Sequence, residues 1–537
     1  MLLSVRLRAA TFLAAALSIL CAQSASAQPH VAIFCLLDGT KIAASRFEAR
    51  EGKFLLYVQG ATEPLEYPAS AVRGINVDPC PASPPTAAAV APGGASGRFG
   101  VQGSNTIGER LMPMLIEAYA HKLGVKPTVK LTDKEEEEIS FETAGGGRSA
   151  IELKAHGSGT AAKALVEGKA VIGMASRRLK PEELKALDEK FHQDALAPGN
   201  EHVLALDGLA VIVNAANPVQ NLDLAQIAAI FAGKIANWSE VGGADRPIKV
   251  LRRDDKSGTF DTFKSLVLTP LKLDIAPQRR AFESSEALSE EVTRDVDAIG
   301  FVGMPYINRN AAVAIGSSCG IIGKASKFSV KTEDYPLARR LYLYTIGAPA
   351  DPVAKDFLRY ALSDEAQPTI EEAEFVEQSV MFEDEDEQRQ WASAFASDPK
   401  RSLPLGKVVP ANALAEFKRL TDATRRSSVV LRFKEGSAEL DNRAIADVAR
   451  LARFLQSPSL AGKPFYLVGF ADASGDWSGN LSLARHRAQH AAEALARTGQ
   501  KVPAQAVKTF SFLAPSACND SEAGAAKNRR VEIWVGR

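Results

Sequence analysis

The sequence has no surplus charge. Its 537 residues carry 64 lysines and arginines against 64 aspartates and glutamates, whereas a protein whose main partner is nucleic acid needs a basic excess. Cysteine is scarce: five residues, none at zinc-site spacing, exclude a disulfide-dense scaffold and a structural zinc fold. Beyond the first 20 residues no run reaches 18 consecutive apolar side chains, which excludes a helical membrane span there. Enzyme signatures are missing too: there is no Gly-x-Ser-x-Gly elbow, Walker loop, His-Glu-x-x-His or Gly-x-Gly-x-x-Gly. His486 and His490 stand four apart on a helical stretch, but no carboxylate supports them as a metal pair. These absences imply a non-enzymatic protein with no cofactor, no metal and no nucleic-acid partner. An apolar content of 46% argues against both global disorder and a multispanning membrane protein.

What is present begins at the N-terminus. Arg6 and Arg8 precede an apolar run from Ala9 to Leu20, followed by Ala25-Ser26-Ala27, the order of a secretory signal peptide over residues 1–27. Leu20 stands before Cys21 where lipidation would want a small residue, so a lipid anchor is not expected. Removing 1–27 leaves 62 basic against 64 acidic side chains and no transmembrane segment. Four cysteines remain in an oxidising compartment: Cys35, Cys80, Cys319 and Cys518. Cys35 and Cys80 bracket a short segment, and a Cys319–Cys518 bridge would join two domains. Sequence alone does not choose among the three possible pairings.

The mature chain reads as an α/β multidomain protein. Alternating segments over 28–80 predict a small β module. Residues 81–97, rich in Pro, Ala and Gly, read as a linker. From 98 to 378 helical patterns alternate with short apolar strands, the rhythm of an α/β domain. Residues 379–427 read as a polar connector, helical or irregular, with some reach, whose acidic run from Glu383 to Glu387 makes a solvated face. A compact α+β pattern fills 428–537.

The α/β domain repeats one device three times. Gly103-Ser104-Asn105-Thr106 opens a helix predicted to continue to His121. Gly157-Ser158-Gly159-Thr160 opens a second and Lys256-Ser257-Gly258-Thr259 a third. Helix starts collect unpaired N–H groups and the positive end of the helix dipole, so three in one domain point to an anion cradle. Arg253 can clamp an oxyanion, and Asp255 can accept a hydrogen bond from a protonated one.

These segments, taken in order with Gly173-Met-Ala-Ser-Arg177, Leu206-Asp-Gly-Leu-Ala-Val-Ile-Val213 and Asn237-Trp238, resemble PstS-like phosphate-binding proteins of ABC transporters. The resemblance implies a type 2 periplasmic binding protein over 98–378, two α/β lobes that close on phosphate or a related oxyanion. It carries over Thr106 and Ile107 from the first loop and Ser158 from the second. From the third come Arg253, Asp255, Ser257, Gly258 and Thr259. Ser176 stands where the transporter receptors have an aspartate, which weakens the expected rejection of sulfate and leaves Asp255 as the remaining acid.

Val429-Val-Leu-Arg-Phe433, Gly436-Ser-Ala-Glu-Leu-Asp441, Leu467 to Gly475 and Asn528-Arg-Arg-Val-Glu-Ile533 resemble OmpA C-terminal domains, which bind peptidoglycan. A diaminopimelate side chain ends in an ammonium and a carboxylate, so its receptor needs one acid and one base. By resemblance these are Asp472 and Arg487, with Asn480 in the loop; Arg529 and Arg530 read as structural. The resemblances together imply a protein of a Gram-negative periplasm, attached to the cell wall and near the outer membrane. It would capture phosphate for an ABC permease. The alternatives are a wall-anchored phosphate sensor or adaptor, and a phosphatase on the binding-protein fold.

Overall fold

The computed structural model describes residues 32–36, 41–50, 53–58, 64–68, 72–75, 97–142, 146–276, 279–397, 403 and 407–537. The leader at 1–27, Cys80 and all but the last residue of the linker at 81–97 lie outside them. The chain divides into two compact units, Met1–Val90 and Ala91–Arg537. Among the described residues of the first, six short strands form two three-stranded antiparallel sheets. Ala44 and Leu56 are fully buried there, one from each sheet.

The second unit is built on a mixed eleven-stranded sheet. Its key element is the 13-residue strand Glu201–Val213. Along 201–208 this strand pairs with Ala338–Tyr344, and along 209–213 it pairs with Ala298–Gly303. One strand therefore runs through both lobes. The sequence explains how it can: Leu204 to Val213 is an almost unbroken apolar run, suited to a strand covered on both faces. Ala210 and Ile212 face a core containing Leu288 and Val292. Leu209, Val211 and Val213 face one containing Ile227, Phe231 and Phe263. The strands Ile172–Ala175, Arg98–Gly103 and Arg148–Lys154 continue the first lobe, and Lys249–Arg253 and Arg280–Phe282 continue the second.

The C-terminal domain has a four-stranded sheet in the order Thr424–Leu431, Arg530–Gly536, Phe465–Phe470, Val507–Thr509. Helices Asn442–Leu455 and Trp477–Arg497 cover one face, around Leu451, Leu467 and Ile533. Phe417, Leu420 and Trp391 cover the other, against Phe470 and Trp534. These three belong to the segment expected to be a polar connector. Of the helical and irregular alternatives it takes the helical one, Glu385–Ser397 and Ala411–Ala423, and these helices close the second face of the sheet. Its polar composition hid an apolar stripe that needs the sheet to be visible. The acidic run is not wholly solvated either, since Glu383 is buried beside Arg426.

The two domains are fastened together. Of the pairings left open by sequence, the bond between Cys319 and Cys518 is formed. Between the same two domains, the buried Glu333 carboxylate meets three guanidinium groups: Arg340, Arg432 at 2.6 Å and Arg443 at 3.2 Å. Arg426 Nη2 reaches Asp334 at 2.6 Å, and Arg340 reaches Asp441 at 2.8 Å. Lys527 donates to the Tyr335 carbonyl at 3.0 Å. Asn442 donates to the Leu196 carbonyl and to Glu201 in the first lobe, at 2.9 and 3.0 Å. No described helix is long and apolar enough to cross a membrane.

Candidate functional site

The three hydroxyl-rich helix starts converge between the lobes. Thr106 Oγ1 and Thr259 Oγ1 lie 3.0 Å apart, one from each lobe. Ser158 Oγ lies 3.2 Å from Ser176 Oγ and accepts the Ser176 N–H at 3.0 Å. Gly258 sits directly against this pair. A Cβ added there would lie 2.1 Å from Ser158 Oγ and 2.5 Å from Ser176 Oγ, so only glycine permits this approach of the lobes. Gly157 has φ +94°, and a Cβ would meet the Lys256 carbonyl at 2.3 Å. Ser257 caps its helix by accepting the Phe260 N–H. Ile107 is fully buried in the core, so it can offer a ligand only its backbone.

Two residues that sequence reading passed over complete the floor. Arg339 donates from Nη1 to Thr259 Oγ1 at 2.8 Å and from Nη2 to Thr106 Oγ1 at 3.4 Å. The same guanidinium is held by Asp207 Oδ2 through Nε at 2.9 Å and Nη2 at 2.6 Å, while the Met304 amide donates to Asp207 Oδ1 at 3.0 Å. Asp207 and Arg339 are both buried, on the paired strands that link the lobes. The signal was present in the sequence: a single carboxylate inside an apolar strand must find a cationic partner when buried.

Asp255 corrects an expectation. Its side chain is 77% exposed and paired with Arg252 at 2.7 Å, turned away from the cradle. Arg253 is buried, as a clamp should be, and its Nε donates to the Phe282 carbonyl at 3.2 Å. Its other nitrogens donate to Ser285 Oγ and the Glu283 carbonyl.

The first helix start also differs from expectation. The helix does not run on to His121 but breaks into Asn105–Gly108 and Leu111–Lys122, with Glu109 and Arg110 at the break. The break turns Glu109 inward. Both its carboxylate oxygens are buried without a hydrogen-bond partner, as is Ser104 Oγ. Burial pushes the Glu109 carboxyl up to about 7. The Arg253 charge pulls it down and Glu135 pushes it up. The Ser285 amide also pulls it down, and Glu286 pushes it up. Tyr306, whose hydroxyl donates to the Thr106 carbonyl at 3.3 Å, feels both Glu109 and Arg253.

A second constellation lies in the C-terminal domain. Asp472 accepts the Ser474 N–H at 2.9 Å and pairs with Arg529 at 3.0 Å. These partners hold its carboxyl below the usual range against the effect of burial. Asn480 is buried with its Nδ2 unpartnered, and Arg487 presents an unpartnered buried Nη1. The Arg487 guanidinium lies 5.8 Å from the Phe433 ring centroid. One acid with free donors beside it suits a zwitterion. Arg530 is buried against Glu532 at 2.7 Å, and Arg529 pairs with Asp472 at 3.0 Å.

Comparison with known proteins follows this division. A PBP superfamily domain model matches residues 115–365, and an OmpA family model matches residues 432–530. The chain is 30% identical over 238 residues to the phosphate-binding protein PstS of Pseudomonas aeruginosa, covering 41% of this chain and 72% of that protein. It is 32% identical over 221 residues to the PstS of Bacillus subtilis, covering 41% and 68%. The crystal structure of an ABC-type phosphate transport receptor from Vibrio cholerae matches 52% of this chain and 99% of its own, at 26% identity and TM-score 0.39.

Proposed function

The chain belongs to the family of PstS phosphate-binding proteins, joined here to a C-terminal OmpA family domain, and on that premise we propose that it captures inorganic phosphate in the periplasm while held on peptidoglycan. The observation that carries this reading is the meeting of Thr106, Thr259 and Arg339 across the two lobes. Hydroxyls, helix-start amides and a fixed guanidinium make a dehydrated set of donors for a tetrahedral oxyanion. The lobes open to admit the anion and close over it. Thr106, Ser158, Ser176, Ser257 and Thr259 donate hydroxyls, Gly258 and Ile107 offer backbone N–H groups, and Arg253 and Arg339 balance the charge.

In the C-terminal domain, Asp472 receives the ammonium of a diaminopimelate side chain, and Arg487 with Asn480 receives its carboxylate. Wall attachment restricts the receptor to permeases within reach, favouring retention of phosphate near an ABC permease over free shuttling. A binding role fits the hydroxyl partners better than hydrolysis does. Ser158 is paired with Ser176, and Ser257 caps a helix, whereas a nucleophile needs an adjacent base.

Equilibrium dialysis of the mature chain against labelled phosphate tests the first half. Retention at micromolar concentration is expected, and none at millimolar would overturn it. Sedimentation with insoluble peptidoglycan tests the second. It is expected to fail in Asp472→Ala and Arg487→Ala, and unchanged sedimentation of both variants would contradict the assignment.

A further inference from the structure

A receptor that works by opening and closing two lobes needs its linking strands free to bend. Here a third body is attached on both sides of the hinge. Three consecutive residues at the start of the helix Asn442–Leu455, its cap Asp441 included, reach three different parts of the receptor. Asn442 Nδ2 donates to the Leu196 carbonyl at 2.9 Å and to Glu201 at 3.0 Å, both in the first lobe. Asp441 pairs at 2.8 Å with Arg340 on the strand Ala338–Tyr344, which links the lobes. Arg443 meets Glu333 at 3.2 Å and donates to the Lys331 carbonyl at 2.6 Å. Those two residues lie between Val330 and Tyr335, which belong to the core of the second lobe.

The two attachments differ in strength. Toward the second lobe the domain is held by the Cys319–Cys518 bond, the enclosed Glu333 carboxylate and the Arg426–Asp334 pair. Toward the first lobe it is held by the Asn442 amide and by an exposed pair of Arg453 with Asp364 at 2.7 Å. A domain serving only as a wall anchor needs one firm attachment, and the second lobe already provides it. The contact with the first lobe also bears on the cradle. Glu201 is clasped by Arg178 at 2.7 and 2.8 Å, and Arg178 lies two residues from Ser176.

We propose that the start of the helix Asn442–Leu455 is a brace across the hinge, through which the C-terminal domain holds the receptor closed and slows release of its anion. This goes beyond the phosphate-binding reading above and rests on it. The lobes meet here through Thr106 and Thr259 at 3.0 Å, so the brace is made in the closed arrangement. A rigid body fixed to both lobes must lose one set of contacts when they rotate apart. The weaker set, at Asn442 and Arg453, gives way, and the domain travels with the second lobe. Those contacts therefore favour the closed form, raise the affinity for an enclosed anion and lengthen its stay.

Variants of the full mature chain test this by equilibrium dialysis and by release of labelled phosphate into excess unlabelled phosphate. Asn442→Ala combined with Arg453→Ala should bind roughly fivefold to tenfold more weakly and release faster by a similar factor, the worth of about one hydrogen bond to a charged group. Asn442→Asp suits a helix start but sets a carboxylate against Glu201, and should act in the same direction. Sedimentation with peptidoglycan should stay at the wild-type level, because none of these changes touches Asp472 or Arg487. Hydrogen exchange of the phosphate-free chain reads opening without any ligand. Amides of Asn105–Gly108 and Gly258–Phe260 in the cleft should exchange faster in the variants, while those of the strand Phe465–Phe470 stay unchanged. Affinity, release and cleft exchange all equal to the wild type would overturn the brace. A wild type that binds no phosphate would overturn the reading beneath it, and the exchange result would still decide the brace.

Discussion

Arg339 and Arg340 are neighbours on one strand, and alternation sends them into two different regions of the molecule. Arg339 points into the cleft, where Asp207 holds it and two threonine hydroxyls share its remaining donors. Arg340 points to the junction with the C-terminal domain, between Glu333 and Asp441. Both regions are buried and charged, but they are finished differently. At the junction the Glu333 carboxylate is surrounded by Arg340, Arg432 and Arg443, which hold it far below the usual carboxylate range against the opposing effect of burial. At the two ends of the short helix Asn105–Gly108, Ser104 and Glu109 end in buried oxygens with no partner. The junction keeps unpartnered buried atoms as well, Asp334 Oδ1 and Arg443 Nε, but its central carboxylate is enclosed by opposite charge.

The largest expected effect breaks the satisfied side. Glu333→Gln leaves three guanidinium groups around a neutral amide and should cost about 3–5 kcal/mol of stability, as for other broken buried ion pairs. Denaturant unfolding of the full chain reads this, and a loss below ~1 kcal/mol would mean that the network relaxes freely. Reducing the Cys319–Cys518 bond should cost less, about 2–4 kcal/mol, because the charge network still holds the domains. Phosphate affinity measured on reduced and oxidised protein then shows whether the junction bears on the cleft.

Two buried glutamates, one in each region, have a pH signature. Glu109 and Glu383 both have carboxyls pushed up to about 7, in each case chiefly by burial. A folded value above the unfolded value of 4.5 means that the native state binds more protons between 4.5 and 7. Stability of the phosphate-free protein should therefore fall as pH rises through that window and level off above it, by on the order of 3 kcal/mol per group. Glu109→Gln should remove about half of the fall. Thermal melts from pH 5 to 8 check this, and a flat profile would mean that both groups ionise without cost. Asp255→Asn is the smallest expected effect. Its exposed pair with Arg252 is worth about 1 kcal/mol or less, so phosphate affinity should not move.

How much of this the sequence disclosed depended on distance along the chain. The hydroxyl-rich helix starts at Thr106, Ser158 and Thr259 are local patterns, and they meet as local patterns suggested. The Asp207–Arg339 pair spans 132 residues and hides inside two apolar strands. Glu109 was concealed because the helical period runs through it, and only the break before Leu111 turns it inward. The segment 379–427 reads as polar because its apolar stripe is thin. Phe417 and Trp391 become core residues only when a sheet face is there to receive them. Arg529 and Arg530 are adjacent and chemically identical, and only the fold separates the partner of Asp472 from that of Glu532.

The most direct measurement is calorimetric titration of phosphate into the full mature chain and its Gly258→Ala variant. A methyl group there collides with Ser158 and Ser176 and prevents the lobes from meeting. The wild type should bind with micromolar affinity or better, and the variant about a hundredfold more weakly, a loss of some 3 kcal/mol. Equal affinity in the two proteins would contradict a site made by closure of these lobes.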